Sequence, residues 1–124
     1  MKGSIVRASL ATLLLALPTA ASLAHTSVAA TNPKSGSVLE VSPAVIEIQF
    51  HEEARLTSVV VIEAGKAARK LAYTPTGAAT VFKIADAALG PGRSEIQWKA
   101  LSKDGHVVSG SLVLVIKPST AKTN

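Results

Sequence analysis

The 124-residue chain contains no cysteine, and its only methionine is Met1. Thiol catalysis and thiolate metal sites are therefore excluded, and no disulfide can support the fold. Aromatic residues are scarce: one Trp, one Tyr and two Phe. None is interleaved with a basic stripe, and Arg69-Lys70 is the only adjacent basic pair. Nucleic-acid binding thus has little support. No stretch approaches the roughly 20 apolar residues that a transmembrane helix needs.

The longest apolar run, Ala8 to Leu17, has ten residues and follows the basic Lys2 and Arg7. Pro18 breaks it, and Ser22-Leu23-Ala24 offers a small-x-small cleavage site. This pattern predicts a secretory signal peptide over residues 1–24. Thr19-Ala20-Ala21 also fits the rule, but Ala24 lies at the more usual distance from the apolar run. Cleavage there makes His25 the first residue of a soluble, exported chain of about 100 residues, the size of one small domain. That product carries eleven basic and eight acidic residues, a net charge of +3. Having lost Met1, it has no sulfur ligand of any kind.

The remainder alternates with a period of two and breaks at turn residues. In Val45–Phe50, Ile46, Ile48 and Phe50 share one face, and in Ser94–Ala100, Ile96, Trp98 and Ala100 do the same. Val107–Ile116 puts Val108, Leu112, Leu114 and Ile116 together. Leu56–Ile62 is valine-rich enough to read as buried on both sides. Shorter strands are expected at Lys70–Tyr73 and Thr80–Ile84, and a first one through Thr26–Thr31. Only Ile84–Leu89 reads as a helical turn. Pro33-Lys34-Ser35-Gly36, Ser42-Pro43, Ala64-Gly65-Lys66, Thr74-Pro75-Thr76-Gly77, Gly90-Pro91-Gly92 and Asp104-Gly105 carry turn chemistry. About seven short strands predict an all-β, immunoglobulin-like antiparallel β-sandwich of Greek-key type. The domain spans residues 25–118, with a polar tail over 119–124.

One constellation carries chemistry. Asp104 and His106 are two apart, so in an extended segment their side chains leave the same face. A mature His25 offers its α-amine and ring Nδ1 to one ion, closing a six-membered chelate. The amine has a pKa near ~8, low enough for a metal to displace its proton at neutral pH. Nitrogen and oxygen donors in a tetragonal array suit Cu(II) or Ni(II), and Zn(II) accepts the same donors in a tetrahedron. Set against this, Asp-Gly is a common turn pair in which Asp caps the backbone. The spacing alone leaves both readings open.

Further residues extend the pattern. Ala24-His25 is followed by Asn32-Pro33, Gly36-Ser37, Pro43 and Ile48-Gln49-Phe50-His51-Glu52. Leu89-Gly90-Pro91-Gly92 comes next, then Trp98-Lys99-Ala100-Leu101-Ser102-Lys103-Asp104-Gly105-His106 and Gly110-Ser111. From His25 to Pro118 the chain resembles the CopC family of periplasmic copper-binding proteins. The resemblance implies a β-sandwich that binds Cu(II) through His25, Asp104 and His106. It also implies that Glu52 orients the terminal amine, and that a membrane copper transporter or other copper-resistance proteins are partners. Some family members bind Cu(I) through a methionine-rich loop, which this chain cannot supply. The expected role is a periplasmic copper carrier or buffer with one Cu(II) site and no catalytic turnover.

Two other classes compete. A histidine-brace oxidative copper enzyme also uses an amino-terminal histidine. The small size, the few aromatics and an anionic Asp104 in a position that O₂ needs stand against it. A metal-free immunoglobulin-like interaction module is the other. His51 reads as a solvated surface residue, Trp98 as core, and Glu52-Glu53 as a solvated pair. Ser102, near His106 and Asp104, lacks the nucleophile elbow or oxyanion motif of a hydrolase.

Overall fold

One strand organises the molecule, a computed structural model that describes residues 28–119 and, apart from them, Gly3. Strand β3 (Val45–Glu63) runs unbroken for 19 residues, where the sequence predicts two separate strands. The intervening His51–Arg55 contains neither Gly nor Pro, so nothing there stops an extended chain. The remaining strands are β1 (Val28–Asn32), β2 (Ser37–Leu39), β4 (Arg69–Lys70), β5 (Ala78–Ala85), β6 (Gly92–Ser102) and β7 (Val107–Ile116). The expected signal peptide (Gly3 aside), Thr26 and Ser27 of the expected first strand, and residues 120–124 of the expected tail lie outside the described residues.

The first half of β3 pairs antiparallel with β1 on one side and β5 on the other. Its second half pairs with β6, which pairs in turn with β7. The β3–β5 ladder is irregular between Gln49 and Ala54, and there β3 passes from one layer to the other. β2 adds to the end of β7 as the one parallel pair among the described residues, Ser37–Leu39 against Leu114–Ile116. The result is the all-β sandwich that the sequence predicts, with seven strands differently constituted.

The core is built from the faces that the alternation marks. Ile46, Ile48, Phe82 and Ile84 of one layer are buried with Ile96, Leu112 and Leu114 of the other. Phe50 joins them, lying edge-on to Phe82 at 5.8 Å and to Trp98 at 5.3 Å between ring centroids. Such edge-to-face contacts add about 1 kcal/mol each beyond the area they bury. The Trp98 ring lies so close over Gly110 that a Cβ there would collide with it. Only glycine fits at that ladder position.

Three further expectations fail. Leu56–Ile62 is buried on one face only: Val59 and Val61 point inward, Val60 is half-buried and Ile62 exposed. The strand expected at Lys70–Tyr73 is reduced to Arg69–Lys70, although the Leu71 N–H still donates to the Val59 carbonyl at 2.9 Å. No helix occurs at Ile84–Leu89; β5 continues to Ala85, and Asp86 and Ala88 take left-handed φ values of 52° and 51°. Tertiary partners override the local alanine-rich preference there. Arg69 Nη2 donates to the carbonyls of Ala87 (2.5 Å) and Ala88 (3.0 Å), and the Leu89 N–H donates to Ser42 Oγ (2.9 Å).

Candidate metal centre

Asp104 and His106 come together on the connection between β6 and β7, but not on an extended strand as the spacing suggests. Gly105 adopts a φ of 87°, which a side chain would oppose, and the chain reverses around it. The Gly105 N–H donates to the Ser102 carbonyl (3.0 Å) and the Ser102 N–H to the His106 carbonyl (2.8 Å), closing the turn. Across it, Asp104 Oδ2 lies 2.8 Å from His106 Nδ1.

The protonation of this pair follows from its neighbours. Hydrogen bonds from the Ser102 hydroxyl and from the His106 ring hold the Asp104 carboxyl well below its usual range, at about 2. An ionised carboxylate can only accept, so His106 Nδ1 carries the proton toward it. In the neutral ring that leaves the Nε2 lone pair free to bind a metal. A carboxylate that fixes the tautomer and orientation of a histidine is a common accompaniment of metal ligation. Both side chains are open to solvent, 68% exposed for Asp104 and 76% for His106.

The other expected residues are distributed as follows. His25 lies outside the described residues. Glu52 is exposed on β3 beside the bend between the layers. That bend adjoins the turn, because Ala54 is the ladder partner of Ser102. Among the described residues, no hydrogen bond joins Glu52 to Asp104 or His106. His51 is exposed, as expected, and Trp98 is core at 5% exposure. Among the described residues no group of three or more His, Cys, Asp or Glu side chains is placed to hold a metal. Asp104 and His106 therefore supply two donors and need a third from elsewhere. Sequence reasoning dismisses Ser102 as a nucleophile and misses its other part: its hydroxyl is the hydrogen-bond hub of the turn. The Ser-x-Asp-x-His spacing is the available signal for it.

Fold and site together define a β-sandwich scaffold that presents a carboxylate–imidazole pair on an exposed hairpin turn. The CopC domain profile matches residues 28–117, and the chain belongs to the CopC family. It shares its fold with CopC from Methylosinus trichosporium OB3b, at a TM-score of 0.64 and 15% identity, covering 77% of this chain and 97% of that one. It is similar also to PcoC, a methionine-rich copper resistance protein from Escherichia coli. For that structure the TM-score is 0.52 and the identity 20%, over 73% of this chain and 96% of that one. A search of curated protein sequences gives no match.

Proposed function

We propose that this protein is exported to the periplasm and binds copper there, holding one Cu(II) through His25, Asp104 and His106 as a carrier or buffer. The observation that carries the reading is the Asp104–His106 pair, solvent-exposed and oriented so that a ring nitrogen is left for a metal. Membership of the CopC family, and the likeness of fold to a copper resistance protein, agree with it.

The register of β1 supports His25 as the missing donor. Val28 pairs with Phe50 and Asn32 with Glu47, so the described end of β1 lies next to the bend at residues 51–54 of β3. The Ser102–His106 turn sits beside that bend. Only Thr26 and Ser27 separate His25 from Val28, three Cα steps that reach about 10 Å when extended. A freed amine and imidazole from His25, with the His106 imidazole and the Asp104 carboxylate, form a nitrogen-rich set with one anionic oxygen. That set favours Cu(II) over the softer Cu(I). Glu52 is placed by this reading to accept a hydrogen bond from the amine and orient it.

The mechanism is coordination and exchange, and exposure of both donors on the turn lets an incoming ligand reach the ion. A membrane copper transporter or another copper-resistance component is the proposed partner. Mass spectrometry of the exported protein, apo and with Cu(II), tests the reading. The expected result is a chain beginning at His25 that binds one copper. A variant retaining Ala24 should bind Cu(II) much more weakly. Unchanged affinity in that variant would refute the terminal chelate. Oxygen consumption by the copper-loaded protein with a reductant, dependent on a substrate, would replace the carrier with an oxidative enzyme.

A further inference from the structure

Ser102 is the last inward-facing residue of β6, after Ser94, Ile96, Trp98 and Ala100. It is 8% exposed, whereas the two side chains it serves are mostly in solvent. Its backbone is held on one flank by the ladder to Ala54 of β3 and on the other by the turn. From that fixed position its single hydroxyl reaches both candidate ligands. Oγ donates to Asp104 Oδ1 and accepts from the His106 backbone N–H at 3.2 Å. A serine hydroxyl has one hydrogen and two lone pairs, so it can do both at once.

These bonds constrain different things. The bond to Asp104 fixes the rotation of the carboxylate and so aims its other oxygen, Oδ2, at His106 Nδ1. The bond to His106 fixes the point from which the imidazole ring extends. With both in place, two exposed side chains are held by one anchored in the sheet. Without the hydroxyl, the backbone bonds of the turn and the Asp104–His106 contact remain, but nothing ties that exposed pair of side chains to the buried end of β6.

We infer that Ser102 is a positioning residue for copper, preorganising Asp104 and His106 from a buried site at the end of β6. The inference rests on the reading of those two residues as copper ligands. Ser102 contributes no bond to the ion. Its effect is to reduce the rotamer freedom that the ligands would otherwise lose on binding.

The test is a Cu(II) titration of the mature protein against a competing chelator, with electron paramagnetic resonance at saturating copper. Ser102→Ala should lower affinity by about 10- to 100-fold, the range found when an outer partner of a metal ligand is removed. It should also broaden or alter the copper spectrum while near-ultraviolet circular dichroism stays unchanged. Ser102→Thr, which keeps the hydroxyl, should recover most of the loss. In an Asp104→Ala background the Ser102→Ala effect should shrink to a small remainder, because coupled residues give non-additive losses. Wild-type affinity and spectrum in Ser102→Ala would overturn the inference, and so would fully additive losses in the double variant. If Asp104→Ala and His106→Ala also bind copper like the wild type, the metal-site reading itself has failed.

Discussion

Two charged constellations sit at opposite ends of the β3–β6 pair, and they are built on opposite plans. At one end Glu63, opposite Ser94, is buried and saturated. Lys66 Nζ lies 3.1 Å from one carboxylate oxygen and Arg69 Nη2 3.2 Å from the other, and the Gly90 N–H adds a third bond at 3.4 Å. At the other end Asp104 and His106 are exposed, and among the described residues the second ring nitrogen has no partner. A charge that is buried and fully paired has nothing left to offer a ligand. It locks Arg69 onto the Ala87 and Ala88 carbonyls and so fixes the loop before β6. An exposed pair with an unspent donor adds little to stability and can exchange a ligand. Charge clustering alone therefore does not mark a binding site; on the proposed function, unspent coordination is what sets the second cluster apart.

The contrast breaks first at Glu63. Glu63→Ala removes the carboxylate that Arg69 and Lys66 bond, and because both cations are themselves well exposed it should cost about 2 kcal/mol, the scale of losing hydrogen bonds to a charged group. Chemical denaturation followed by the fluorescence of Trp98, the only tryptophan, measures it, and copper affinity should not change. His106→Ala should do the reverse. Its copper affinity should fall at least as far as the roughly 10- to 100-fold of losing an outer partner. Its stability should stay within about 0.5 kcal/mol of wild type, as for surface changes generally. Copper affinity lost in folded Glu63→Ala, or a large loss of stability in His106→Ala, would erase the contrast.

Acid sharpens it further. Burial pushes the Glu63 carboxyl up, but hydrogen bonds from Lys66 and Arg69 outweigh this and leave it below its ordinary value of 4.5. A group depressed in the folded state contributes stability above its unfolded value, lost as pH falls through the folded one. Wild-type stability should therefore decline below about pH 4.5, and Glu63→Gln should flatten that decline in denaturation curves taken across the range. Asp104 is also depressed, to about 2, yet solvent screening at its exposed position makes Asp104→Asn nearly silent in the same assay. The smallest effect belongs to His51→Ala, which should leave both stability and copper affinity at wild-type values.

Much of this architecture is legible in the sequence because a period of two survives folding wherever one face is buried. Ile46-Ile48-Phe50 and Ile96-Trp98-Ala100 are inward as their spacing says. The length of β3 is less legible, although the absence of Gly and Pro from His51–Arg55 is the clue. β2 has only three residues and is held by a parallel ladder and by Gly36 and Ser35 contacts to Val113, none of which leaves a local pattern. The helical reading of Ile84–Leu89 fails because distant partners claim its carbonyls. At the site, Asp104 and His106 stand out by type and spacing. The part played by Ser102 depends on how the turn folds its hydroxyl over both, and Glu63 depends on Arg69 and Gly90 meeting in space.

The inward residues of β3 change phase along its length. Ile46, Ile48, Phe50, Ala54 and Leu56 are even-numbered, whereas Val59, Val61 and Glu63 are odd. The bulge between Leu56 and Ser58 makes the change. Val60 and Ile62 are apolar too, so greasiness alone would accept the strand in either reading frame, with or without the extra residue. Glu63 breaks the tie. In the observed frame its carboxylate reaches Arg69 and Lys66; in the slipped frame those partners lose it. The buried glutamate thus works as a frame marker, favouring the observed alignment of a valine-rich strand over one slipped by a residue.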